Sequence, residues 1–481
     1  MLYHSTRNEE HCVDSAQAVL EGLAPDGGLY MPCRLPEFDW KACLRGDAFA
    51  METAILSALL PDIPDMEALV RAAYTGKFSA PDLTPTVKVG PFTLLELFHG
   101  PTCAFKDVAL SMLPQLLTAA RKVRNIREDI MILTATSGDT GKAALEGFRD
   151  VPGVGICVFY PHGGVSQVQR AQMVTQEGRN VTVCAVEGNF DDAQTGVKNI
   201  FAACRDKDLP FRLSSANSIN IGRLAPQIMY YFKAYRDLLD RGEIRLGDRV
   251  NFSVPTGNFG DILAGFLAKK LGLPVGKLIC ASNANNVLTD FLRTGTYDRR
   301  RPLYKTTSPS MDILVSSNLE RLLYLLCGDT KLVAELMNRL NTEGCYTVPE
   351  SMLEAIRDQF WADYADDGRT AQAMEEMFRS WGYLADPHTA AGWYAAREYT
   401  GATGDTTPMV VLSTASPYKF PTAVLKAIGA CADGDEFRQM DRLAELSGVP
   451  VPAQLQALEG KQERHTGVIP KDAMLDFVLH L

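Results

Sequence analysis

From residue 129 onward the chain repeats one pattern: a short apolar, β-branched run, a loop rich in glycine and hydroxyl residues, then a helix. Asp129-Ile130-Met131-Ile132-Leu133-Thr134-Ala135 reads as a buried strand, followed by a loop at 136–141 and a helix through Phe148. Residues 154–160, 181–186, 249–254, 277–281 and 408–413 read as further strands, with helices over 166–176, 191–204 and 261–271. Such alternation demands right-handed crossovers and mostly parallel sheets, with ligands at the carboxyl ends of the strands. The first 90 residues instead carry helices over 14–21, 49–60 and 66–74, closed by a proline-spaced linker at 80–85. Residues 319–381 read as largely helical, with apolar residues three and four apart that pack a core. The expectation is an α/β fold of mostly parallel sheets in two α/β units, plus an N-terminal largely helical domain. Its boundaries are 1–90, 91–215 for a smaller α/β domain and 216–481 for a larger one with a helical insert.

A chain of 481 residues exceeds what a single core usually organises. Its net charge of −10, from 48 basic and 58 acidic residues, argues against coating nucleic acid or an anionic membrane. Met1-Leu2-Tyr3-His4 leads into polar sequence without the pattern of a signal peptide, and no apolar run approaches the roughly 20 residues that span a bilayer. The eleven cysteines are scattered singly, never as Cys-x-x-Cys, so a reduced, cytoplasmic, disulfide-free protein is expected. The seven histidines form no pair at metal-ligand spacing, and no metal is expected.

Chemistry is concentrated in a few loops. In Gly100-Pro101-Thr102-Cys103-Ala104-Phe105-Lys106-Asp107 a lysine stands at a helix start among apolar neighbours. Desolvation makes an amine easier to deprotonate, and the neutral amine can form a Schiff base with an aldehyde cofactor. Thr256-Gly257-Asn258-Phe259-Gly260 follows a strand and opens a helix, the arrangement that lets backbone amides grip a phosphate. Ser137-Gly138-Asp139-Thr140-Gly141 has the same context and suits a carboxylate or phosphate. Neither loop matches a nucleotide-triphosphate or dinucleotide fingerprint, so a smaller phosphorylated ligand fits better. Residues 214–223 pack hydroxyls, amides and the guanidinium of Arg223, suited to an oxyanion. Residues 413–419 leave hydroxyls and a lysine at a strand end, where ordinary turn chemistry competes with a binding role.

Seven segments in order resemble the threonine synthase family, pyridoxal-phosphate enzymes of fold type II (the tryptophan-synthase-β type). They are Tyr3-His4-Ser5-Thr6-Arg7 with the turn at 22–30, the lysine segment at 98–107, residues 135–141, Glu187-Gly188-Asn189-Phe190-Asp191, Asn217-Ser218-Ile219-Asn220, residues 257–260 and Asp386-Pro387-His388-Thr389-Ala390. The resemblance spans nearly the whole chain. It implies that Lys106 carries pyridoxal 5′-phosphate, that Gly257, Asn258, Phe259 and Gly260 hold its phosphate, that Thr414 meets the pyridine nitrogen, and that Asp139 lies near the ring oxygen. It implies conversion of O-phospho-L-homoserine and water to L-threonine and phosphate. Asn189, Asn217, Ser218, Asn220 and Arg223 are then expected around the substrate phosphate, with Ser137 and Thr140 nearer its carboxylate or phosphate. His388 is read as a structural histidine. The chain departs from the family at Ser416, where many relatives have histidine, and at Asn8.

Three rival readings remain at this stage. One is a phospholyase of the same family, releasing 2-oxobutyrate, ammonia and phosphate. Another is a non-catalytic relative that binds the cofactor, against which Lys106 and both glycine loops argue. The third, a nucleotide-dependent dehydrogenase, lacks its fingerprint. The expected partner is a small-molecule substrate, with no nucleic acid or membrane, on a monomer or small homo-oligomer.

Overall fold

The computed structural model describes residues 1–136, 138–204 and 209–481. Among these residues the strands build two large sheets. Five parallel strands are ordered Val468–Pro470, Val181–Glu187, Val154–Pro161, Asp129–Ala135 and Phe211–Ser214. Six strands are ordered Phe360–Tyr364, Val275–Ser282, Val250–Pro255, Met409–Ser413, Phe92–Glu96 and Thr86–Val89, all parallel except the last pair. Val250–Pro255 and Met409–Ser413 are buried at every position, as befits central strands covered on both faces. That burial explains why they read as continuous apolar runs rather than as alternation.

Helix limits follow local chemistry. Asp14, Asp47, Asp366, Asp386 and Asp435 each accept a backbone N–H at a helix start. Ser166 and Gln169 form a reciprocal capping box. Gly295, Gly328, Gly382, Gly404 and Gly448 close helices in the left-handed conformation.

Several features went beyond the sequence reading. The N-terminal region is largely helical, but it also contains a three-stranded antiparallel sheet of Asn8–Asp14, Leu2–Ser5 and Tyr30–Pro32. Phe360–Tyr364, inside the stretch read as helical, is an edge strand, and Val468–Pro470 adds to the five-stranded sheet. Sheet membership therefore does not follow the expected boundaries at 90 and 215. Phe92–Glu96 belongs with Met409–Ser413, and the C-terminal strand returns to Val181–Glu187. Both strands are short and paired far along the chain, which local pattern cannot register.

The helix Lys106–Val123 is the common core element, packed against Ser15–Glu21, Met66–Tyr74 and Asp139–Phe148. Its first turn is held from outside by Tyr74, whose hydroxyl lies 3.1 Å from the Val108 carbonyl and 3.0 Å from Glu52 Oε1. One hydroxyl proton cannot serve both. Glu52 is fully buried, and burial raises its carboxyl well above the usual range despite the Tyr74 contact. A protonated Glu52 donating to the Tyr74 oxygen frees Tyr74 to donate to Val108. A raised native value means that this stability is complete below the unfolded value, near ~4.3, and is lost as pH rises toward the native one. Glu52→Gln should remove that slope. In urea titrations across pH 5–8, wild type should lose up to about 1.4 kcal/mol per pH unit relative to the variant. Parallel profiles would show that Glu52 is ionised in the fold.

Candidate active site

A cavity of about 340 Å³ opens where the two sheets bring their carboxyl ends together. Ala135 and Thr136 reach it from the end of Asp129–Ala135, Pro255 and Thr256 from the end of Val250–Pro255, and Thr414 from the end of Met409–Ser413. The parallel topology alone dictates this convergence.

Lys106 is delivered by a short backbone ladder. Leu97 N–H donates to Ser413 O at 2.9 Å, Phe105 N–H to Thr414 O at 2.8 Å and Ser416 N–H to Cys103 O at 3.1 Å. Cys103 takes a left-handed φ of 59° to make the turn. Behind it, Asp107 accepts from the Thr102 N–H and hydroxyl, and burial raises its carboxyl to about 6. Any Cβ on Gly100 would stand 2.4 Å from Asp107 Cβ, so the turn needs glycine there. Ser416, the position at which the sequence resemblance breaks, is spent here. Its hydroxyl accepts from Tyr418 N–H, and its amide completes the ladder.

The Lys106 amine lies 3.2 Å from Ser310 Oγ, 3.7 Å from Asp139 Oδ2 and 5.1 Å from the Phe105 ring centre. Burial pulls it down to about 8. Asp139 opposes this, and the positive charges of Lys419 and Arg223 add to it. Asp139 is itself buried, which works against its charge. Lys419 at 2.7 Å and Lys106 outweigh burial and hold the carboxyl well below the usual range. Gln169 Nε2 also donates to Asp139 Oδ1 at 2.9 Å.

On the opposite wall, residues 256–260 all line the cavity. Asn258 O accepts from Asn318 N–H and Gly257 O from the Ser316 hydroxyl, which turns the carbonyls outward. Among the described residues the amides of 257–261 have no protein acceptor, and the helix Gly260–Lys270 begins without a side-chain cap. Phe259 holds a left-handed φ of 62° to present them. Unsatisfied amides at a helix start, facing a cavity with a buried amine, suit a phosphorylated aldehyde of the size of pyridoxal phosphate. Asp261 lies beside them, its Oδ1 bonded by Tyr230 and Tyr231 and its Oδ2 without a partner among the described residues. Burial raises its carboxyl to about 7, although both tyrosines and Lys106 pull the other way. Near neutral pH it therefore opposes an incoming anion less than an ordinary carboxylate would.

Of the residues expected around the ligand, Lys106, Asp139, Thr140, Asn217, Ser218, Arg223, Gly257, Asn258, Phe259, Gly260 and Thr414 all line the cavity. Arg223 is buried, donates to Ala216 O, and meets no carboxylate among the described residues; burial lowers it to about 10. Two expectations need correction. Asn189 is exposed, exchanges capping bonds with Asp192 at 2.9 and 3.0 Å, and does not line the cavity. Asn220 is fully buried and spent on Gly222 N–H and the Val19 carbonyl. Ser137 lies outside the described residues.

Residues that the sequence reading passed over also face the cavity. Gln194 and Lys198 come from the helix Phe190–Cys204, and their spacing of four was the available signal. His388 lines the cavity, yet both ring nitrogens are occupied: Nδ1 faces Asp386 Oδ1 at 2.7 Å and Nε2 accepts from Ser310 N–H at 3.2 Å.

The sequence profile described as "Pyridoxal-phosphate dependent enzyme" matches residues 73–415. It is flanked by "Threonine synthase N terminus" over 2–74 and "Threonine synthase, C-terminal" over 389–476. This chain belongs to the threonine synthase family. It is 43% identical over 443 residues to a threonine synthase of Pseudomonas aeruginosa, covering 89% of this chain and 90% of that one. It is 40% identical over 438 residues to human threonine synthase-like 1, covering 86% of this chain but 58% of the human protein. The chain thus spans less than two thirds of the length of that relative. The crystal structure of the PLP-bound threonine synthase from Brucella melitensis superposes with a TM-score of 0.88 at 39% identity, covering 100% of this chain and 99% of that one. The profile over 73–415 is that of pyridoxal-phosphate dependent enzymes, the Brucella melitensis structure holds PLP, and the free amides and buried amine described above fit that cofactor.

The loop at 256–260 has little room to change. A Cβ on Gly257 would stand 2.7 Å from the Ser310 carbonyl, whereas one on Gly260 would meet Ser218 Cβ at 3.2 Å. Gly257→Ala should therefore displace the turn that carries Ser310 and weaken retention of pyridoxal phosphate by at least about tenfold, roughly 1.4 kcal/mol. Gly260→Ala should weaken it less. Absorbance titration of the cofactor-free protein reads both, and equal losses would contradict the geometry.

Proposed function

We propose that this chain is a threonine synthase, converting O-phospho-L-homoserine and water to L-threonine and phosphate. The observation that carries the reading is the buried Lys106 amine facing a row of unpaired amides across one cavity, in a chain of this family. When bound, pyridoxal phosphate supplies an electron sink for the substrate carbons. Amides of residues 257–260 would hold its phosphate, Lys106 would attach it, Asp139 would face its ring oxygen, and Thr414 would face the pyridine nitrogen. The Thr414 hydroxyl makes no bond to another described residue and is free for such a contact.

Lys106 is suited to accept and return protons at the substrate carbons, because burial has brought its amine toward neutrality and Ser310 holds it by a single bond. Elimination of the γ-phosphate needs fixed donors for a dianion. Arg223, whose guanidinium is desolvated and meets no carboxylate among the described residues, is the principal anchor, with Asn217 and Ser218 beside it. Ser218 accepts from Asn318 Nδ2 at 2.9 Å, which leaves its own hydroxyl proton to give. Thr140 serves the substrate carboxylate or phosphate, and Ser137 is assigned to the same group by sequence. Water then adds at Cβ.

Among the described residues no helix is long and apolar enough to cross a membrane. The eleven cysteines are free thiols, which supports a reducing, cytoplasmic setting. The enzyme in this reading is a monomer or small homo-oligomer acting on a small molecule, without nucleic acid.

Purified protein given pyridoxal phosphate should show a visible band that Lys106→Ala abolishes, and should release threonine and phosphate in equal amounts. Ammonia and 2-oxobutyrate in place of threonine would overturn the synthase reading in favour of a phospholyase. Arg223→Met should keep the visible band yet lose about 10²–10³-fold in kcat/KM. A full rate in that variant would move the phosphate anchor elsewhere.

A further inference from the structure

The residue that sits between the two sheets at the cofactor lysine is Lys419, in the turn Pro417–Lys419 that follows the strand Met409–Ser413. It is completely buried. A lysine without solvent keeps its charge only where oxygens surround it. Its amine donates to Asp139 Oδ1 at 2.7 Å and to the Thr102 carbonyl at 3.1 Å. Thr102 carries the turn before Lys106, and Asp139 opens the helix Asp139–Phe148 behind the five-stranded sheet. One ammonium thus joins the lysine segment, the aspartate loop and the end of the six-stranded sheet.

The distances give this arrangement a chemical consequence. Asp139 stands 3.7 Å from the Lys106 amine, too far for a good hydrogen bond but close enough to hold a proton there by charge. Were Asp139 otherwise unpaired, it would draw Lys106 into a tight ion pair and keep it protonated. Lys419 and Gln169 instead hold Oδ1 and balance the charge from that side, while Ser310 Oγ stands between Oδ2 and Lys106, donating to Oδ2 at 3.5 Å and accepting from the Lys106 amine at 3.2 Å. We propose that Lys419 is a positioning residue for the cofactor lysine: by neutralising Asp139 and tying it to Thr102, it leaves the Lys106 amine weakly paired and free to react.

The other charged or titratable groups around Lys106 are Arg223 from the helix Ile221–Leu224, Asp107 on its own helix and Asp261 from the helix Gly260–Lys270. His388 faces Asp139 from the helix Pro387–Thr403. Lys419 and Arg223 oppose a proton on Lys106, whereas Asp139 and Asp107 favour one. Loss of Lys419 therefore shifts Lys106 toward its protonated form, and loss of Asp139 shifts it the other way.

The test is the pH dependence of cofactor capture. Pyridoxal phosphate is added to the cofactor-free protein, and the rate at which the visible band forms is measured from pH 6 to 10. Lys419→Met should move the midpoint upward by about one unit, a roughly tenfold slower capture at pH 7 for a one-unit shift. Asp139→Asn should move it downward. The double variant should fall between the two, and Lys419→Arg should restore a near-wild-type midpoint. A merely structural lysine would lower the melting temperature without moving the midpoint in Lys419→Met, and that result would overturn the proposal. Should Lys419→Met fail to fold, Lys419→Gln takes its place, and an unmoved midpoint in that variant would overturn the proposal equally. The inference rests on Lys106 being the residue that takes the cofactor. A visible band surviving in Lys106→Ala would defeat that assignment, whereas a vanished band with an unmoved Lys419→Met midpoint defeats the present inference alone.

Discussion

The buried carboxylate of Asp139 is the constraint on which the rest of the site depends. A carboxylate without water is costly unless its oxygens are filled, and leaving one uncompensated is costlier still. Here the partners come from four places in the chain: Lys419 after a strand of the six-stranded sheet, Gln169 from the helix Gln167–Val174, Ser310 by its hydroxyl, and Lys106 at the head of the central helix. The two sheets have to meet at this spot for the charge to be tolerated. The backbone ladder between 103–105 and 414–416 then fixes the lysine in the same place by independent means. Electrostatics and hydrogen bonding reach one geometry from different directions, the consistency that a single native arrangement requires.

A second constraint lies across the cavity. The amides of 257–261 are unsatisfied among the described residues, an expense a protein interior does not carry without purpose. Their neighbours are arranged to keep them so: the loop's carbonyls are bonded outward, and Phe259 accepts a left-handed backbone. Asp261, at the point where an anion would be repelled by an ordinary carboxylate, is raised to about 7 by burial.

Much of this was legible in the sequence because it is local. The strand Asp129–Ala135 begins and ends where its apolar run does, and the glycine loops at 138–141 and 257–260 announce themselves by following strands and opening helices. The same local grammar misled at Asn189 and Asn220. Asparagine in a loop before a helix is as apt to cap that helix as to bind a ligand, and here both do the former. What could not be read is the set of pairings across long stretches of chain. Lys419 and Asp139 are 280 positions apart by their numbering, Lys106 and Ser310 are 204 apart, and short strands such as Val468–Pro470 have no periodicity to display.

The N-terminal motif Tyr3-His4-Ser5-Thr6-Arg7 shows how far such pairings extend. None of these five residues lines the cavity. Thr6 and Arg7 instead bind Glu320, with both Arg7 contacts at 2.8 Å in a bidentate pair. The next residue, Arg321, is fully buried and bonds neutral oxygens: the carbonyls of Tyr30, Ser218 and Ile219 and the side chain of Asn318. Asn318 in turn donates to Ser218 Oγ and, through its amide, to the Asn258 carbonyl. A guanidinium that spends its charge on carbonyls gains no ion pair; it gains position, because its planar fork fixes several strands of chain at once. Two consecutive residues, Glu320 and Arg321, therefore carry the N-terminal sheet to the loop at 217–220 and to the loop at 256–260. The motif bears on the chemistry without touching the cavity, because the backbone that presents Ser218 and the amides of 257–260 is anchored to it.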